Sequence, residues 1–163
     1  MNPPDQYLVE RRTLRHALGE FATGVTVVTA RAANGDPVGI TINSFASVSL
    51  DPPLVLWSLG LQSSALAVFE SCRRYAINVL AADQTEFSQR FSQSPGEDSS
   101  EIDWEVGAGG TPMLPGCCAW FECRNEMRYA GGDHLIFVGH VENFHRKEKL
   151  PLIFHRGRYR SLA

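Results

Sequence analysis

Residues 39–56, GITINSFASVSLDPPLVL, decide how the chain is read. Two apolar, strand-like runs flank a span of small hydroxyl and amide side chains, a composition poor for a core and good for a cradle. Thr41, Asn43, Ser44, Ser47 and Ser49 offer donors and acceptors to a flat heteroaromatic ligand, and the small side chains let backbone amides approach it closely. Asp51-Pro52-Pro53 then ends one element and starts the next, because neither proline can donate to a ladder and each fixes φ.

Working outward, Val25–Thr29, Val38–Ile42 and Leu54–Leu59 are β-branched or aliphatic runs bounded by Gly, Pro, Asn or Asp, which is strand composition. Asn34-Gly35 between the first two predicts a hairpin turn, since both residues tolerate positive φ. Upstream, Leu14, Leu18 and Phe21 at helical spacing predict a short amphipathic helix from about Leu8 to Phe21, lying against the strands. Downstream, Leu66 and Phe69 predict a helix over Ser63 to Cys72 with serine at its N-cap. Asp83–Glu86 has the form of a capping box, and Phe87 with Phe91 at i and i+4 carries another helix to about Ser92.

A loop rich in Ser, Gly and Asp follows from Gln93 to Gly110, and its length points to function or a partner surface. Strands return over Cys117–Arg128 and Leu135–Phe144. Strands joined mostly by turns, with only brief helices, favour a closed antiparallel barrel over a doubly wound sheet. No Gly-x-Gly-x-x-Gly follows a strand, which speaks against a Rossmann nicotinamide domain.

With 163 residues, 44% of them hydrophobic and 20% charged, the chain has apolar mass for one domain, 1–163, and no room for a second. A net charge of -3 without a Lys/Arg stripe argues against nucleic acid as a partner. No apolar run approaches membrane-spanning length, and the first residues lack the order of a signal peptide, so the expected compartment is the cytoplasm. Cys72, Cys117, Cys118 and Cys123 suit neither a disulfide framework nor a tetrahedral metal site. The last three are expected in one strand, Cys117 and Cys123 on one face and Cys118 on the other, as buried small hydrophobes. His16, His140, His145 and His155 fall on separate elements and read as structural, so no metal is expected.

Six pieces in order carry a resemblance that covers nearly the whole chain: Phe21–Ala30, Gly39–Pro53, Ser63-Ser64, Tyr75–Leu80, Gly132-Asp133-His134 with Gly139–Val141, and Leu152–Phe154 followed by Gly157–Tyr159. The chain resembles the FMN-binding split-barrel flavin reductases, the small reductase components of two-component flavin-dependent monooxygenases. The resemblance implies a mainly β, antiparallel split β-barrel of Greek-key type with a few short helices. It also implies FMN or FAD as flavin, NADH or NADPH as hydride donor, a homodimer with flavin sites near its interface, and delivery of reduced flavin to a separate monooxygenase.

The same resemblance places flavin contacts on Thr41, Ile42, Asn43, Ser44, Ser47, Val48 and Ser49, with the flavin phosphate at Ser63 and Ser64. A helix N-terminus there would offer free N–H groups to the phosphate. The stretch Gly60–Ser64 lacks the Lys or Arg that many relatives place near the phosphate, so FMN and FAD both stay open. His134 matches a histidine at the mouth of the flavin pocket. Hydride transfer needs no protein acid or base, so its implied role is to position the donor and help protonate reduced flavin. Phe91 and Tyr159 fall where the family has groups near the flavin or the interface. The rival reading is a split-barrel carrier of flavin or haem without nicotinamide turnover, and the discriminating feature is an open face beside His134.

Overall fold

The structure, a computed structural model, describes residues 3–93 and 101–162, with side chains described from residue 10 onward. A helix, α1 (Pro3–Leu18), leads into β1 (Thr23–Gly24), β2 (Thr26–Arg31), β3 (Pro37–Ile42), β4 (Ala46–Leu50) and β5 (Pro53–Gly60). Two short helices, α2 (Leu66–Ser71) and α3 (Thr85–Gln93), flank β6 (Arg74–Val79). The second half holds β7 (Glu105–Val106), β8 (Pro112–Met113), the long hairpin β9 (Ala119–Gly131) and β10 (His134–Arg146), and the terminal hairpin β11 (Ile153–His155) and β12 (Arg158–Arg160). Among the described residues no helix is long and apolar enough to cross a membrane.

Seven strands form one antiparallel sheet in the order β3-β2-β6-β9-β10-β5-β4. Its inner face packs Val28 and Ala30 of β2, Val38 and Ile40 of β3, Tyr75 and Ile77 of β6, Cys123 of β9, Phe137 of β10, and Val55, Trp57 and Leu59 of β5 into one cluster. Residues from both ends of the strand order meet there, so the sheet is curled into a barrel. Trp57 is its centre, stacked on Phe137 at 4.5 Å and edge-on to Phe69 and Tyr75. Beyond β3 the seam is bridged by a side chain: Ser44 Oγ accepts from the Ser58 amide at 3.0 Å and donates to the Ser58 carbonyl at 3.2 Å.

A second cluster lies outside the barrel, where Phe91 of α3, Leu114, Cys117, Leu152 and Ile102 cover Val25, Val27 and Leu80. The close fit of α3 on β3 depends on Gly39, where an added Cβ would stand 2.6 Å from the Phe91 ring. Residue Glu122 of β9 is fully buried and accepts hydrogen bonds from the Gly109 and Thr111 amides, the Thr111 hydroxyl and the Asn143 amide. Burial raises its pKa, but these donors outweigh burial and hold it below 4.5, the ordinary carboxylate value. The clamp therefore stabilises the fold above that value and is lost as pH falls through the lowered one.

Most elements fall where the sequence places them, and four expectations are corrected. Helix α1 starts and ends earlier than expected, and the three positions expected to be its buried face are exposed: Leu14, Leu18 and, beyond its end, Phe21 are 60%, 67% and 77% exposed. Its end is tied instead to the β11–β12 turn, through the Arg156 amide on the Gly19 carbonyl and the Arg156–Glu20 ion pair. Helix α2 is capped by Ala65 with no side-chain bond, not by serine, because Ser63 sits one turn earlier and accepts from the Ala65 amide. No Asp83 box forms: Gln84 precedes α3 and its side chain accepts from the Ala81 amide.

The cysteines do not share a strand. Only Cys123 belongs to β9, inside the barrel, while Cys117 packs in the outer cluster and Cys118 is held by carbonyls of Leu80 and Leu150. Pro115 and Gly116 make a turn at this point, Gly116 having φ +76°, so period-two alternation does not start until Ala119. All four thiols are free, and burial raises the pKa of Cys117 and of Cys123 to about 12. Of the expected 93–110 loop, residues 94–100 lie outside the described residues. In the rest, Ile102 and Trp104 pack onto the outer cluster.

Candidate functional site

At its C-terminal end β3 runs out of partners, and the chain turns through Asn43 and Ser44 toward β4. Opposite it, β5 ends at Gly60, and β10 begins at His134 in register with Gly60. The turn before His134 passes through Gly132 at φ +72°, and the Asp133 carbonyl accepts from the Leu61 amide at 2.9 Å. These three strand ends enclose a cleft of about 330 Å³. It holds Thr41, Ile42, Asn43 and Ser44 on one side and Ser58, Gly60, Ser63 and His134 on the other.

Hydrogen bonding sorts these groups. The Thr41 hydroxyl donates to the Ser88 carbonyl at 2.8 Å, and the Ser44 hydroxyl is spent on the Ser58 backbone. Both fasten the wall. Asn43, Ser58 and His134 are left to present donors and acceptors to the cleft, and Ser63, which accepts from the Ala65 amide, keeps its hydroxyl proton to donate. His134 Nδ1 lies 2.7 Å from Asp133 Oδ1, and the carboxylate accepts the Nδ1 proton, which leaves Nε2 on the side of Gly60. That hydrogen bond lowers the pKa of Asp133, so the carboxylate stays charged and keeps orienting the ring.

A second cleft, about 250 Å³, shares the Thr41–Asn43 wall and is closed by Val25, Ser88, Ser92, Phe154 and Tyr159. Tyr159 packs edge-on against Phe154 and its hydroxyl is 2.8 Å from Ser88 Oγ.

The structure thus brings Thr41, Ile42, Asn43, Ser44, Ser63 and His134 together and puts Tyr159 in the adjoining cleft. It separates the others. Ser47, Val48 and Ser49 lie on β4, the edge strand, and line neither cleft; Ser64 is exposed beyond the rim. Phe91 is a core residue, 2% exposed and sealed against Gly39, because the i and i+4 phenylalanines of α3 face the outer cluster. Sequence reasoning missed Ser58, Gly60 and Ser88. Two of these had a signal, since period-two alternation from buried Val55, Trp57 and Leu59 puts Ser58 and Gly60 on the opposite face. Among the described residues no cluster of His, Cys, Asp and Glu could hold a metal ion.

The fold and site together are an antiparallel split barrel with a hydroxyl- and amide-lined cleft under an exposed imidazole. Residues 18–163 match the model of the flavin reductase like domain, and the chain belongs to that family. It is 48% identical over 148 residues to the FMN reductase (NADH) SmoA of Agrobacterium fabrum, a match covering 91% of this chain and 84% of that one. It is 41% identical to the reductase component of the flavin-dependent trigonelline monooxygenase of Acinetobacter baylyi, over 91% of this chain and 48% of that protein, so it spans about half of that relative. Among solved structures, the NADH:FAD oxidoreductase SgcE6 of Streptomyces globisporus, in complex with NAD and FAD fragments, superposes with a TM-score of 0.87 at 37% identity, covering 100% of this chain and 96% of that one.

Proposed function

We propose that residues 1–163 form one domain that transfers hydride from NADH or NADPH to FMN or FAD and releases reduced flavin to a separate monooxygenase. The observation that carries this reading is the convergence of Asn43, Ser58, Ser63 and His134 on one cleft. The cleft fits the group: its size is that of a small-molecule site, its walls carry no anionic side chain, and its hydroxyl and amide groups match the polar edge of an isoalloxazine. Bound flavin supplies the hydride acceptor. The chain's own residues orient and protonate.

Asn43 and Ser58 would hold the ring edge, Ser63 with the neighbouring Ser64 would hold the phosphate, and small Gly60 would leave room for the ring beside the imidazole. His134, fixed by Asp133 through Nδ1, would position the nicotinamide and, as the imidazolium, would hold a proton at Nε2 for the reduced product. With no lysine or arginine lining the cleft, phosphate anchoring is modest and flavin behaves partly as a substrate that leaves after reduction.

The active form is a homodimer in the cytoplasm, where reduced nicotinamides are held. Its support is the edge strand β4, which has no charged residue and shows Val48 at 49% and Leu50 at 93% exposure, the kind of edge that pairing covers. Mixing purified protein with each nicotinamide and each flavin, and following loss of flavin absorbance without oxygen, tests the activity. Catalytic bleaching is expected, and reduction with neither donor would leave the carrier reading in its place. Light scattering after size exclusion tests the dimer.

A further inference from the structure

Residue Ser88 has no place in the reading above, yet its side chain is buried, 1% exposed, in the middle of α3 and meets the Tyr159 hydroxyl at 2.8 Å. Each hydroxyl carries one proton, and the bond between them uses one. If Tyr159 donated, the Ser88 proton would be left buried without an acceptor among the described residues, which is unfavourable. If Ser88 donates, the buried hydroxyl is satisfied and the Tyr159 proton is free on the half-buried side, where Tyr159 lines the second cleft. The second arrangement is favoured.

Among the described residues no charged side chain lines that cleft, which does not suit a phosphate. Val25, Ile42 and Phe154 make apolar walls and Asn43 adds an amide. Such a site suits a flat, uncharged ring bearing an amide-type carbonyl. We infer that Ser88 is a positioning residue that turns the Tyr159 proton into this cleft, where Tyr159 donates to the carbonyl oxygen of an uncharged heterocyclic amide. This rests on the flavin reductase reading, which supplies two carriers of that group, the pyrimidine carbonyl of flavin and the carboxamide of nicotinamide.

Tyr159→Phe removes the donor and keeps the ring. Flavin affinity is measured by fluorescence titration without nicotinamide, and the KM for NADH at saturating flavin. One constant is expected to weaken roughly three- to tenfold, the loss of one hydrogen bond, while the other stays put; a weaker flavin constant assigns the flavin carbonyl, a raised KM the carboxamide. Ser88→Ala should weaken the same constant by less, and the double variant should be no worse than Tyr159→Phe alone, since the serine acts through the tyrosine. Equal change in both constants, or change in neither with a lower melting temperature, would overturn the inference and leave the pair a structural tether. Wild type that binds flavin but reduces it with neither nicotinamide would refute the reductase reading instead, and the titration arm would still report on Tyr159.

Discussion

Residues 41–44 and residues 47–49 are separated by two positions, share the same kinds of side chain, and end in opposite surroundings. Thr41 and Ser44 are half-buried and bonded across the fold, Thr41 to the Ser88 carbonyl and Ser44 to both backbone groups of Ser58. Ser47 and Val48 face outward on β4, and the Ser49 hydroxyl reaches only the Asp51 amide of its own turn. The difference comes from neighbours. The inner residues finish β3 where β5 also finishes and β10 begins, so three strand ends meet; the outer residues pair on one side with β5 and, among the described residues, with no strand on the other. A hydroxyl in a strand becomes part of a site through what the topology sets opposite it.

The largest expected effect tests whether the inner half is the site. His134→Ala removes the imidazole of the cleft and should slow NADH-dependent flavin reduction by very roughly ten- to a thousandfold, with flavin affinity close to wild type because the proposed ring-edge contacts are on Asn43 and Ser58. Stopped-flow bleaching over a series of NADH concentrations reads both quantities. An unchanged rate would move the chemistry out of the inner half.

Next in size is the packing that holds the inner half in place. Gly39→Ala puts a Cβ 2.6 Å from the Phe91 ring. Either α3 shifts or β3 does, and overpacking of this kind costs about 1–3 kcal/mol. Urea denaturation should show a lower midpoint with an unchanged slope. Because Thr41 hangs from Ser88 on the same helix, the flavin constant should weaken too. A stability loss with no change in flavin binding would show that the wall does not depend on α3.

The strands were legible because β-branched runs bounded by Gly, Pro and Asn leave little choice, and the Asp51–Pro53 stop falls between β4 and β5 as read. Part of the site was legible too: Thr41, Asn43 and Ser44 as polar groups set at the end of an apolar run, and His134 through the family resemblance. What could not be read was which polar groups the fold uses up. Phe91 fills the outer cluster, Ser44 closes the barrel seam, and Ser88 carries Thr41 and Tyr159, the two serines through contacts to residues 14 to 71 positions away. Local periodicity contains no such information. The apolar positions of α1 mislead in another way: helical spacing marks a face, and nothing in the spacing says what covers it.

Ser44→Ala sharpens the comparison at a smaller scale. It leaves the Ser58 amide without its partner at a half-buried position, and about 1 kcal/mol of stability should go with it. Since Ser58 lines the cleft, loosening of the seam should also raise the flavin requirement in steady-state assays. Intact stability would mean that water replaces the serine and that the seam is not held by it.

Ser47→Ala is the matching substitution in the outer half, and it should do least. The side chain is exposed on an edge strand and makes no hydrogen bond described within the chain, so its removal should stay within about 0.5 kcal/mol in stability. Flavin affinity should change less than threefold, well under one hydrogen bond, if the cleft of a single chain is the whole of the ring-edge site. A tenfold loss of affinity with unchanged stability would break the comparison in an informative way. It would mean that Ser47 reaches a ligand that no cleft of its own chain brings near it, which requires a second copy seated along β4. Repeating the titration at protein concentrations below and above the dimer dissociation constant decides the matter, because a loss carried through the partner appears only where the dimer is formed.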